Sequence, residues 1–208
     1  MTPKIAKEIL GAQYLGPLEL RTLPFTVAEA APAVPYSREL LRARRDSHIL
    51  VFTPETYADG APITLNSLRE KFGVDPHVSE PCMYNQDWYL KEDFAARRTL
   101  DGKWHLIQKK VRDDARAKPP EDIEKILKSE GFSTAVTYAF AFFAWWFARG
   151  GERLWEHDFV WCSDRDHNND RVYVGCYEDP SSINKNGFNI HRHLSLRPAY
   201  SAAPEITG

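Results

Sequence analysis

Hydrophobic and polar residues alternate in three runs near the C-terminal end of the chain. The run RVYVGCY places Val172, Val174 and Cys176 on one face of a strand, with Tyr173 and Tyr177 on the other. The run FVWC alternates in the same way before it, and the polar turn DRDHNND lies between the two. We therefore predict an antiparallel hairpin with a turn rich in acids and amides.

The third run, FNIHRHLSLR, predicts another strand with one apolar and one polar face. Arg192 interrupts the apolar face, so we expect this residue to have a charged partner or an edge position. The apolar face comprises Phe188, Ile190, Leu194 and Leu196, and the polar face comprises Asn189, His191, His193, Ser195 and Arg197.

Helical patterns are frequent in the preceding part of the chain. Ser37 and Thr64 are predicted caps for the helices SRELLRARR and TLNSLREKF, and a double proline begins PPEDIEKILKSE. The runs HILVF and KWHLIQKKV are predicted strands. The stretch from Ala135 to Ala148 is apolar nearly all round, which favours a central core helix over a cofactor site or a partner-binding ridge.

Length and composition fit a globular α+β protein. The 208 residues, 43% of them apolar, suit a single domain over 1–208. We divide it into N-terminal helices and strands, 1–132, and a core helix with a C-terminal strand-loop region, 133–208. The net charge of −2 offers no overall attraction to nucleic acid, so none is expected as a partner.

The expected location is the cytoplasm, without membrane insertion. The longest apolar run is shorter than the roughly 20 residues that cross a bilayer. The first residues lack the apolar core and cleavage site of a signal peptide. The three cysteines are too few and too scattered for a disulfide framework, which fits a reducing compartment.

The hairpin turn is a candidate calcium site, because its oxygen-bearing side chains recur at alternating positions. Calcium takes about six to eight oxygen ligands, and acidic side chains two residues apart can converge on one ion. The motif is partial, and Asn and Asp also favour tight turns without any metal. The candidate ligands are Asp164, Asp166, Asn168 and Asp170.

Two histidines suggest a second kind of metal site. His191 and His193 share the polar face of the third predicted strand, and imidazole is a good ligand for zinc. A third ligand would have to come from elsewhere, with His105, His157 and His167 as candidates. The alternative is an ordinary exposed polar face.

The cysteines of the hairpin allow two interpretations. Cys162 and Cys176 would face each other if the strand register allowed it, or they would be two small buried hydrophobic residues. A nucleophilic cysteine needs a nearby base and a lowered pKa, and no pattern in the chain indicates either. The sequence also lacks a phosphate-binding loop, a dinucleotide fingerprint and a serine-hydrolase motif.

The run GERLWEHDFVWCSDRDHNNDRVYVGCYED, followed by a polar loop and a closing strand, resembles a known family. It is similar to the C-terminal half of small bacterial variable proteins, the targets of diversity-generating retroelements, and their relatives. The segments SHILVF, ITLNSLREKF and GKWHLIQKK resemble the N-terminal half of that family. The present chain ends in LSLRPAYSAAPEITG, where related chains finish in a Leu-Gly-Leu-Ala-type strand.

The resemblance implies a C-type lectin-like fold with short antiparallel strands and several helices, whose late strands and loops display a tolerant binding surface. It implies these display residues: Tyr173, Cys176, Tyr177, Asn184, Asn186, Phe188, Asn189, His191 and His193. We therefore expect a non-catalytic protein that binds a protein or another macromolecule, with no cofactor other than the candidate calcium. The alternative function is a metal-dependent hydrolase or transferase that uses His191 and His193.

Overall fold

Two β-sheets and a set of short helices make up the described part of the chain. The computed structural model describes residues 1–21, 23–24, 32–176, 187–192 and 195–206. The helices are α1 Pro3–Leu10, α2 Pro17–Arg21, α3 Arg38–Arg44, α4 Leu65–Phe72, α5 Asp93–Ala96, α6 Pro120–Leu127 and α7 Ala135–Ala148. The strands are β1 Tyr14–Leu15, β2 His48–Thr53, β3 Lys103–Gln108, β4 Glu130–Gly131, β5 Phe159–Arg165, β6 Arg171–Cys176, β7 Phe188–Arg192, β8 Tyr200–Ser201 and β9 Glu205–Ile206. The predicted mixture of helices and strands in an α+β arrangement is confirmed.

The first sheet has the strand order β1-β2-β3-β9-β4. Strand β1 is parallel to β2, and the other neighbours are antiparallel. All six residues of β2 are buried, because both of its faces are covered, and the run HILVFT accordingly contains mainly β-branched and apolar residues. The late strand β9 lies between β3 and β4, so the end of the described chain joins the first sheet.

The second sheet has the order β7-β6-β5-β8 and contains the predicted hairpin. Strands β5 and β6 pair antiparallel, as predicted, and their register places Val160 opposite Val174. Val160 and Val174 face the main core, whereas Trp161 and Tyr173 pack in a separate apolar cluster with helix α6. The second face, on which Tyr173 was expected as a display residue, is buried because α6 covers it.

Helix α7 is the central element of the main core, as predicted. Eleven of its fourteen residues are buried, and it contacts strands of both sheets. The hydroxyl of Thr134 accepts a hydrogen bond from the backbone N–H of Thr137, at 3.2 Å, and so caps the first turn. Phe142 and Phe143 contact Phe188 of β7, with ring centroids 4.9 and 6.1 Å apart.

The third predicted strand is shorter than its sequence pattern suggested. Strand β7 is described for Phe188–Arg192, and Leu196, expected on its apolar face, lies outside the strand and is 44% exposed. The position of Arg192 agrees with its prediction on both counts. Its guanidinium donates to Asp166 at 2.8 Å, and β7 is an edge strand.

The outer edge of β7 is covered by residues of the 82–88 segment. The indole N–H of Trp88 donates to the carbonyl of Ile190 at 3.0 Å, and the Gln86 side chain accepts from the N–H of Ile190 at 3.4 Å. These side chains take the place of a further strand and protect the edge from pairing with another chain. None of the helices in the described ranges has the length and apolar character needed to cross a membrane.

Candidate functional site

Most of the display residues that the structure describes are buried, which corrects the expected binding surface. Tyr173, Cys176, Phe188 and Asn189 are 4%, 2%, 1% and 5% exposed. Helix α6 covers the face with Tyr173, and the main core takes up Cys176 and Phe188. His191 is half-buried, and the remaining candidates, Tyr177, Asn184, Asn186 and His193, lie outside the described residues.

The covered face of the second sheet carries a layer of aromatic rings. Trp161, Tyr173 and His191 are direct neighbours across β5, β6 and β7, with successive ring centroids 5.2 and 5.3 Å apart. The hydroxyl of Tyr173 donates to that of Tyr200 at 3.1 Å, and burial raises the pKa of Tyr173 above its ordinary value. This layer is packed and hydrogen-bonded, so it forms a rigid support for whatever lies at its edges.

His191 lies at the edge of this aromatic layer. Its Nδ1 is 3.2 Å from the amide nitrogen of Gln86, and its ring contacts that of Phe159 at 5.6 Å. Within the described ranges, no group of three or more His, Cys, Asp or Glu side chains is arranged to hold a metal ion. The described residues therefore do not assemble a three-ligand metal site around His191.

The hairpin turn is fixed by the carboxylate of Asp166. This side chain is fully buried and accepts hydrogen bonds from the backbone N–H groups of Asn168 and Asp170, at 2.9 and 2.8 Å, and from Arg192. Burial alone would raise the pKa of Asp166, but the hydrogen bonds from Arg192 and the two amides outweigh it and lower the pKa. Asp166 therefore stabilises a tight polar turn, which was the alternative to calcium binding.

The carboxylate of Asp164 has different partners from that of Asp166. It accepts from the backbone N–H of Ala135 at 2.6 Å, at the first turn of α7, and lies 2.9 Å from Nε of Arg98. Burial raises the pKa of Asp164, although Ala135 and Arg98 act in the opposite direction. The predicted calcium ligands therefore do not converge on one point in the described structure.

The hairpin cysteines do not face each other. Because Val160 pairs with Val174, Cys162 lies opposite the beginning of β6, far along the strand from Cys176. All three cysteines are free and buried, and burial raises the pKa of Cys162. The interpretation as small buried hydrophobic residues is confirmed.

A cavity of about 250 Å³ opens beside the hairpin, between the end of β5, the beginning of β6 and the first turn of α6. We call it the hairpin pocket. Its walls combine the rings of two prolines and the exposed Leu196 with charged side chains of both signs. The residues that line it are Pro119, Pro120, Glu121, Trp161, Arg165, Asn169, Asp170, Arg171, Ser195 and Leu196.

Two N–H donors of residues lining the hairpin pocket have no acceptor among the described residues. These are Nε1 of Trp161 and Nε of Arg171, and both atoms are buried. The rest of the Arg171 guanidinium is engaged, with Glu124 at 2.5 Å and the carbonyl of Ser163 at 3.3 Å. Buried donors without acceptors are rare and cost about 1–3 kcal/mol each. Eight buried side-chain atoms among the described residues have no partner, and these two donors belong to residues that line one cavity.

These residues could not be identified from the sequence. Trp161 was correctly assigned to the face opposite Val160, but nothing in an alternating pattern shows whether an indole N–H finds an acceptor. Arg171 carried no signal beyond its place at the start of a strand.

Comparisons of the chain with protein-family models, with curated proteins and with solved structures found no match.

Proposed function

We propose that this chain is a non-catalytic binding protein whose ligand is a segment of a partner protein that docks in the hairpin pocket. The observation that carries the proposal is the pair of buried donors, Trp161 Nε1 and Arg171 Nε, that have no acceptor among the described residues. A peptide backbone presents carbonyl acceptors at regular intervals, and such donors select it over a purely apolar surface.

The walls of the pocket fit a peptide better than a small charged molecule. Pro119, Pro120 and Leu196 supply apolar contact area, and the rim carries Arg165 and Glu121 only 3.5 Å apart. A rim with balanced charges favours a neutral group at this point. Because both donor atoms are covered in the free protein, binding includes a small rearrangement of the pocket rim.

The family resemblance supports the same class of function. The late strands form a sheet of their own, while β9 returns to the first sheet, and this arrangement is compatible with a C-type lectin-like fold. We therefore propose a relative of the variable proteins, in which the hairpin region, rather than the buried Tyr173 and Cys176, contacts the partner. The buried free cysteines fit the proposed cytoplasmic location.

The proposal is tested with peptides selected from a random displayed library on the immobilised protein. Trp161→Phe keeps an aromatic ring and removes the N–H donor. We expect this substitution to lower the affinity for the selected peptides by about fivefold to thirtyfold, as the loss of one hydrogen bond to a buried acceptor implies. Fluorescence anisotropy of the labelled peptides measures the change.

Trp145→Phe is the matched control. Trp145 is also buried, at 2% exposure, and its Nε1 also has no partner among the described residues, but it does not line the hairpin pocket. We expect its substitution to leave peptide affinity unchanged. Equal affinities of the wild type and Trp161→Phe, or equal losses in the two variants, would contradict the proposal.

A further inference from the structure

We propose that a second cavity, on the other side of Arg165, binds the phosphate group of a small phosphorylated ligand. This cavity, which we call the arginine pocket, has a volume of about 560 Å³. Three guanidinium groups line it, from Arg97 and Arg98 at the end of α5 and from Arg165 of β5. The inference does not depend on peptide binding in the hairpin pocket.

Two of the three guanidinium groups have partners within the protein before any ligand binds. Nε of Arg98 lies 2.9 Å from the buried carboxylate of Asp164, and Arg165 donates to the carbonyl of Asn169 at 2.7 Å. The oxygen of Asp164 nearest Arg98 has no hydrogen bond among the described residues, so the contact is an ion pair without a directed N–H. Side chains that are already ordered lose less entropy when they bind a ligand.

The remaining guanidinium is available at low cost. Arg97 lies 3.3 Å from Asp93, and both side chains are 80% exposed. Such an exposed pair contributes little to stability and is readily exchanged for a stronger anion. The lining contains three arginines and two aspartates, and Glu121, outside the lining, pairs with Arg165 at 3.5 Å, so a bound phosphate competes with three carboxylates for the guanidinium groups.

A phosphate group matches this arrangement better than a carboxylate. It carries a charge of about −1.5 to −2 at neutral pH and has three strong acceptor oxygens, enough for donors from three directions. A single carboxylate would bring no more charge than Asp93 already supplies to Arg97. Arginine is also the side chain whose planar set of donors best fits phosphate oxygens.

The size of the cavity implies that the phosphate belongs to a larger molecule. Small-molecule sites typically occupy about 300–1,000 Å³, and the arginine pocket falls in this range. A free phosphate ion would fill only a small part of it. The hydroxyl-bearing Ser163 also lines the pocket and offers a further hydrogen-bonding group for the ligand.

The test is a titration of the full chain with inorganic phosphate, and then with glycerol 3-phosphate, at constant ionic strength. Isothermal calorimetry and NMR of the arginine side chains follow the binding. We expect saturable binding, tighter for glycerol 3-phosphate, and a loss of about fivefold in each of Arg97→Gln and Arg165→Gln. Arg98 is left unchanged, since its removal would deprive the buried carboxylate of Asp164 of its cationic partner.

Arg45→Gln is the control, because Arg45 is exposed and pairs only weakly with Asp46, at 3.7 Å, away from the pocket. It should bind both phosphates like the wild type. Absence of saturable binding, or an equal loss in Arg45→Gln, would overturn the proposal. Tighter binding of a phosphoserine peptide than of glycerol 3-phosphate would overturn the assignment to a small molecule.

Discussion

Two polar clusters of this protein differ in how completely their hydrogen bonds are satisfied. In the first sheet, His105 lies between two carboxylates, with Nδ1 2.7 Å from Glu205 and Nε2 2.9 Å from Asp101. Thr53 donates to Asp101 at 2.9 Å, and Ser133 donates to Glu205. In the second sheet, Trp161 and Arg171 of the hairpin pocket each retain a buried donor without a described acceptor.

The difference separates a structural cluster from the proposed binding site. Both ring nitrogens of His105 are engaged, so this residue is in no position to act as a base or a metal ligand. Burial alone would lower its pKa, but the hydrogen bonds and charges of Asp101 and Glu205 outweigh burial and raise the pKa to about 9. The first cluster joins β3 to β9, whereas two donors of the second have no acceptor among the residues that the structure describes.

The largest expected effect comes from breaking the satisfied cluster. His105→Gln removes the positive charge between Asp101 and Glu205, and we expect a loss of about 3–5 kcal/mol in the free energy of unfolding. Denaturant unfolding measures it. His77→Gln is the control, because His77 is exposed and should change stability by less than about 0.5 kcal/mol. A loss below about 1 kcal/mol in His105→Gln would refute the structural role.

The pH dependence of stability should report the same cluster. The folded pKa of His105 lies above its ordinary value of 6.5, so its contribution is complete below pH 6.5 and disappears as the pH rises through about 9. The expected loss is about 2–3 kcal/mol. Burial lowers the pKa of His48 to about 4. The free energy of unfolding therefore decreases as the pH falls from 6.5 towards 4, because His48 is then protonated more readily in the unfolded chain.

The difference between the wild type and His105→Gln isolates the first of these effects, because His48 is common to both. Asp101, whose pKa is lowered to about 2 by the hydrogen bond and charge of His105 against the opposing effect of burial, adds a contribution that is lost below pH 3.8. The free energy of unfolding of the wild type should therefore exceed that of the variant most between about pH 4 and 6.5. A difference that stays constant up to pH 10 would be inconsistent with a protonated His105.

The fold was predictable where a periodic pattern met a strong physical requirement. The apolar stretch of α7 had to be buried, and the two alternating runs around the polar turn had to pair as a hairpin. The burial of Tyr173 could not be predicted, because it depends on α6, an element distant in sequence. That Trp161 has no acceptor within the described ranges could not be predicted either, since it depends on atoms from several separate segments.

The smallest expected effect is on stability at the unsatisfied site. Trp161→Phe removes a buried donor without an acceptor, and this gain offsets part of the packing lost with the larger ring. We expect the free energy of unfolding to fall by no more than about 1.5 kcal/mol, in thermal or denaturant unfolding. A fall as large as that of His105→Gln would show that Trp161 is mainly structural and would remove the contrast between the clusters.

The most direct test of peptide docking in the hairpin pocket is the NMR signal of the Trp161 indole N–H. It is assigned by its absence in Trp161→Phe and followed while a selected peptide is added to the full chain. We predict a downfield shift of this signal as the N–H gains an acceptor, while the Trp145 indole signal stays in place. Saturable peptide binding with an unmoved Trp161 indole signal would contradict peptide docking at Trp161.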